Sequence, residues 1–194
     1  MHLKHILSLA AGVVFVAGFV PYIRAIVRKE AQPSKATWMI WTILNIVTFS
    51  GMLAKHTLNS QMTAALLCAA AVAVLAVKYG KPGWTRLDKL CLGGAVLGVA
   101  LWEFFHDPVL GIVTSLIVLF LGGIPTFVSA WRDPGKEDRT AWTLLWISCV
   151  FTVIAIPAFT LADAAQPLTF LMIENIMVFI LYTRPRALAR SART

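Results

Sequence analysis

Charged residues are rare along most of this chain and gather in short clusters, separated by apolar runs of about 20 residues. A helix of that length rises about 30 Å, the thickness of a bilayer's hydrocarbon core. In that core the backbone must satisfy its own hydrogen bonds, so each run is read as a spanning helix. The pattern predicts seven helices, over 6–28, 36–54, 60–78, 88–106, 108–131, 140–160 and 165–184. Pro108 and Pro167 are expected near the start of helices 5 and 7, where a missing N–H costs nothing. The opening "MHLKHILSLAAGVVFVAGFV" has the charge and apolar core of a signal peptide. Its match to a later run argues instead for a retained helix 1.

That match is part of an internal repeat. Gly18, Pro21, Arg28 and Trp38 recur 104 positions later as Gly122, Pro125, Arg132 and Trp142, followed in step by Ile43 with Ile147 and Thr48 with Thr152. Pro and Gly within an apolar run are costly choices, and their return at one offset points to a duplicated unit. The offset carries helices 1, 2 and 3 onto helices 5, 6 and 7 and leaves helix 4 without a counterpart. Two three-helix units fused directly would lie upside down relative to each other; one extra crossing restores a common orientation.

Charge placement gives the orientation independently. Fifteen Lys and Arg fall after helices 1, 3, 5 and 7, against Lys4 and Lys55 on the other side. Basic connections stay in the cytoplasm, so the N-terminus is expected outside and the C-terminus inside, in a bacterial cytoplasmic (inner) membrane. This accounts for the net charge of +8 without nucleic acid. A charged fraction of 13% excludes an ordinary soluble domain, where about a quarter is usual. Cys68, Cys91 and Cys149 all sit inside apolar runs, with neither disulfide nor metal spacing. The expected fold is all-α and membrane-integral, 3+1+3. Residues 1–80 form a first three-helix bundle and 81–107 hold the linker helix 4. Residues 108–194 form a second, parallel bundle ending in a short basic tail.

A proline within the first helix, a basic connection and "PSKATW" opening the second helix, duplicated around a lone linker, resemble the SWEET and PQ-loop transporter superfamily. The residue after each proline, glutamine in that signature, is Tyr22 and Thr126 here. The resemblance implies a facilitator or proton-coupled carrier that moves a small polar solute such as a sugar by alternating access between two bundles, without a cofactor. Its partners would be the solute and the lipid bilayer, with a homo-oligomer left open.

Gly18 with Pro21, and Gly122 with Pro125, are candidate hinges, because each proline frees a carbonyl one turn back; a static kink is the alternative. Glu174 lies near the middle of helix 7 beside Asn175. A charge there costs ~2.5–3.5 kcal/mol on insertion scales, so the carboxyl must meet a cavity, a neighbouring helix or a proton. Trp41, Asn45 and Thr48 share one face of helix 2; on helix 6 Cys149 and Thr152 stand at the matching places, with Trp146 one position out of step. These eight residues are expected to converge on a midplane solute site, with interhelical hydrogen bonding as the competing account. Trp38, Trp102, Trp131 and Trp142 are expected in interfacial belts, and Glu103, His106 and Asp107 in a solvated turn.

Other classes fit less well. A nicotinamide riboside-type vitamin or nucleoside carrier shares the 3+1+3 layout, and "WMIW" at 38–41 is a faint sign of it. A seven-helix receptor of the retinal type would need a lysine midway along helix 7, which has none. An enzyme is not expected, because no His/Asp/Glu cluster or Ser/His pair falls within the apolar runs.

Overall fold

The structure is a computed structural model that describes residues 2–80 and 82–191. Lys81 and Arg193 of the basic connections lie outside the described residues, as do the side chains of Lys136, Arg186 and Arg190. Among the described residues there are seven α-helices: α1 (His2–Val27), α2 (Lys35–Ala54), α3 (Ser60–Tyr79), α4 (Arg86–Phe105), α5 (Pro108–Arg132), α6 (Arg139–Ala155) and α7 (Leu161–Ser191). Five of them, α1, α2, α3, α5 and α7 as far as Pro185, are long and apolar enough to cross a membrane. Helix α6 has 17 residues, about 26 Å of rise, and α4 carries Arg86, Asp88, Lys89 and Glu103 near its ends. Large apolar side chains point outward along the helices, with Phe104 78%, Leu90 72% and Val13 71% exposed, the inverse of a water-soluble surface.

Polar caps set the helix starts. Ser34 accepts from Thr37 N–H, Asn59 from Met62 N–H and Asp107 from Val109 N–H, while Thr85 and Asp88 form a capping box. Pro108 occupies the first turn of α5 as expected. At the α6–α7 connection the structure differs from the sequence expectation. Helix α6 stops at Ala155, because Pro157 biases Ile156 toward the extended conformation it adopts (φ −51°, ψ 121°). Helix α7 starts at Leu161, where Thr160 pairs with Asp163 and its Oγ1 accepts from the Asp163 N–H. Pro167 therefore lies inside α7 rather than in its first turn.

Helix adjacency is regular. Helix α3 packs against both α1 and α2, and α7 against both α5 and α6; α1 lies along α6, and α2 along α5. Helix α4 lies against α5 and α2. Small residues permit the close crossings. A Cβ on Gly18 would come within 3.0 Å of Leu145 Cδ2, and one on Gly94 within 2.4 Å of Val118 Cγ2. The main buried cluster joins Phe15, Met52, Cys68, Leu116, Leu145 and Phe170, one from each helix except α4.

Candidate functional site

A cavity of about 420 Å³ opens inside the ring of helices, a usual size for a small-molecule site. All helices except α4 contribute to its wall, and the lining runs out to Ser34 in the α1–α2 connection and Glu137 just before α6. One wall is aromatic. Phe15, Phe19 and Tyr22 fall on one face of α1 at i, i+4 and i+7, and meet Trp38 and Trp41 of α2. Ring centroids lie 5.3 Å apart for Phe15–Phe19, 5.7 Å for the stacked Tyr22–Trp38 pair and 5.2 Å for the edge-on Trp38–Trp41 pair. These separations suit aromatic contact. The facing wall is less aromatic, with Leu119, Gly123 and Thr126 from α5 and Ala141, Trp142 and Leu145 from α6 among its members.

Two buried polar groups on the wall lack a partner. Asn45, 6% exposed, donates its Nδ2 to the Trp41 carbonyl at 2.9 Å and leaves Oδ1 unbonded. Glu174, 7% exposed, leaves Oε2 unbonded. Buried polar atoms usually find a partner, so these two oxygens are free to accept from a water or a solute in the cavity; Thr48 Oγ1 and Ser115 Oγ are likewise unbonded but lie off its wall. Thr37, Glu137 and Trp142 on the same wall are engaged. Thr37 donates to Asp88 Oδ1 at 2.9 Å, and Trp142 Nε1 donates to Glu137 Oε2 at 2.9 Å.

At the end away from Ser34 and Glu137, four of these helices are tied together by a buried polar network. Gln61 and Gln166, both fully buried, stand in the first two turns of α3 and α7. Gln166 Nε2 donates to Gln61 Oε1 at 3.0 Å, and Gln61 Nε2 donates to Ser148 Oγ at 2.9 Å and Cys149 Sγ at 3.2 Å. Asn59 donates to Gln166 Oε1 at 2.8 Å, and Ser148 to the Ala11 carbonyl at 2.8 Å. Helices α1, α3, α6 and α7 are thus joined by one chain of bonds. Beyond it lies a smaller pocket of about 220 Å³, with Lys4, His5, His56 and Thr152 on its wall.

Of the residues expected to converge on a solute site, Trp41, Asn45 and Glu174 line the large cavity. Thr48 is buried one turn further along α2, its hydroxyl without a partner. Cys149 belongs to the amide network, while Thr152 bonds back to the Ser148 carbonyl and borders the smaller pocket. Trp146 donates to Asn175 Oδ1 at 2.7 Å, away from the cavity wall. Gly18 lines the cavity; Gly122 of α5 faces Trp41 of α2 and Cys91 of α4. Pro21 and Pro125 sit within continuous helices. Phe15, Phe19, Tyr22, Trp38, Trp142 and Glu137 join the site beyond those expected. The i, i+4, i+7 spacing on α1 was the available signal for three of them, and the equivalence of Trp38 with Trp142 across the repeat for two more. Among the described residues no three His, Cys, Asp or Glu side chains gather as a metal site would require. No protein-family model, curated protein or solved structure matches the chain.

Proposed function

We propose that this chain is a carrier that moves a small polar solute across a membrane by alternating access between two three-helix bundles. The bundles are 1–80 and 108–194, joined through α4. Helix adjacency supports the division: exchanging α1, α2 and α3 for α5, α6 and α7 turns the α1–α6 contact into α5–α2 and the α3 contacts into those of α7. Side chains support it at the same offset, since Gly18 faces Leu145 as Gly122 faces Trp41, and 145 lies 104 positions after 41. Helix α4 is the one without a counterpart. The basic connections favour an orientation with the Ser34 and Glu137 end of the cavity in the cytoplasm.

One observation carries the reading: a cavity at the seam of the two triplets, reaching one end of the protein and closed toward the other by buried amides. That arrangement supports a carrier held open to one side. Rocking the triplets would break the amide network and narrow the opposite mouth, with the Gly-x-x-Pro segments of α1 and α5 as hinges. The SWEET-like resemblance makes a sugar the first solute class to try. The test is uptake of labelled sugars, amino acids and vitamins into proteoliposomes, with Trp41→Ala as the cavity variant. Faster uptake of one class than in protein-free vesicles, lost in the variant, is expected. Uptake no faster than in protein-free vesicles for every class would refute a carrier.

A further inference from the structure

We propose that the solute this cavity accepts is a small organic cation with a flat apolar face, seated on the α1–α2 aromatic wall with its charge toward Glu174 and Asn45. The inference rests on the carrier reading for the site's purpose but on separate observations for its chemistry. The first is charge. The protein carries net charge +8, yet among the described residues the ionisable side chains on the cavity wall are Glu137, Glu174 and Tyr22, with no Lys, Arg or His. A wall so depleted of the dominant charge favours cations over anions.

The second observation is hydrogen-bonding polarity. The unbonded atoms are acceptors: Asn45 Oδ1 and Glu174 Oε2. Thr37 and Trp142 donate to Asp88 and Glu137, and Asn45 gives one of its two Nδ2 hydrogens to the Trp41 carbonyl. A solute that arrives with N–H or C–H donors on a positive centre completes such a site. The third is the aromatic wall, whose ring faces attract a cation and match a flat ring by stacking. A buried carboxyl gains the counter-charge it lacks only while the solute is bound.

The experiment is calorimetric titration of the full chain in lipid nanodiscs with N-methylpyridinium (flat and cationic), benzyl alcohol (flat and neutral), benzoate (flat and anionic), tetramethylammonium (cationic without a ring) and glucose. N-methylpyridinium is expected to bind at least tenfold tighter than each of the others. Glu174→Gln is expected to weaken it at least tenfold while leaving benzyl alcohol unchanged. Trp38→Leu, which keeps the carboxyl, is expected to erase the advantage of N-methylpyridinium over tetramethylammonium. Equal binding of the cation and the neutral ring, tighter binding of glucose, or no binding of the cation overturns the proposal, and the ranking on the unaltered protein decides this even where a variant fails to fold. Counterflow in proteoliposomes separates the two readings. Glucose movement without cation movement retains the carrier and overturns the cation; tight cation binding without movement of any solute supports the cation and overturns the carrier.

Discussion

Replacing Gln61 by Leu tests the polar closure through a magnitude read from its bonds. In the closed arrangement Gln61 accepts from Gln166 at 3.0 Å and donates to Ser148 at 2.9 Å and Cys149 at 3.2 Å. Leucine makes none of these. Ser148 keeps its bond to the Ala11 carbonyl, whereas Gln166 Nε2 loses its partner in a fully buried site. An ordinary hydrogen bond contributes ~1 kcal/mol net and an orphaned buried donor costs ~1–3 kcal/mol, so the closed state should lose about 2–3 kcal/mol. When this end opens, water reaches the same groups and the penalty vanishes. The closed-to-open ratio should therefore fall ~30-fold to ~150-fold, at tenfold per 1.4 kcal/mol. Cys149 is a built-in reporter, because it is fully buried beside Gln61. With Cys68 and Cys91 replaced by Ala, the rate of maleimide labelling at Cys149 from this side should rise by that factor. A rate unchanged within twofold, in a variant of normal thermal stability, would refute the closure.

Three further outcomes follow from the packing and the caps. Gly18→Ala should destabilise the protein by about 1 kcal/mol or more in thermal unfolding, because its Cβ would lie 3.0 Å from Leu145, and Gly122→Ala by less, because its nearest neighbours are at 3.4 Å; the reverse order would contradict the α1–α6 crossing. The Asp107 carboxyl is held below the usual carboxylate range by the Val109 N–H it accepts and by Lys55, 3.1 Å away. Its contribution to stability is thus present above the ordinary carboxylate pKa and lost as pH falls through the depressed value, so the destabilisation caused by Asp107→Asn, read from melting temperature against pH, should shrink to nothing in strong acid. Trp41→Ala should lower uptake in proteoliposomes without lowering the amount of folded protein, measured by size-exclusion chromatography.

The helices were legible in the sequence because the hydrocarbon thickness imposes both length and composition on a span. The α6–α7 connection was misread where local chemistry outweighs hydropathy, with Pro157 ending one helix and the Thr160–Asp163 pair starting the next. The site was legible only in part, because the pattern gives a face to within one residue, and one residue turns a helix by about 100°. Glu174 and Asn175 are neighbours in sequence and so cannot share a direction: Glu174 lines the cavity, and Asn175 bonds to Trp146. Trp38 and Trp142 stand near helix ends, which reads as an interfacial belt, yet both line the cavity because its lining extends to those ends. Gln61 and Gln166 carried no signal, since a polar residue in an early helical turn looks solvated until the facing helix is known.

The central claim is that the two triplets move against each other about the cavity. Spin labels placed pairwise at His5 with Phe159, on the amide-closed side, and at Lys29 with Gly135, on the basic side, would report that motion as distances by pulsed electron resonance in nanodiscs. Solute binding is predicted to lengthen the first distance while shortening the second, and Gln61→Leu to do the same without solute. Two distances that stay fixed under both perturbations, in a protein that still binds its solute, would contradict the account.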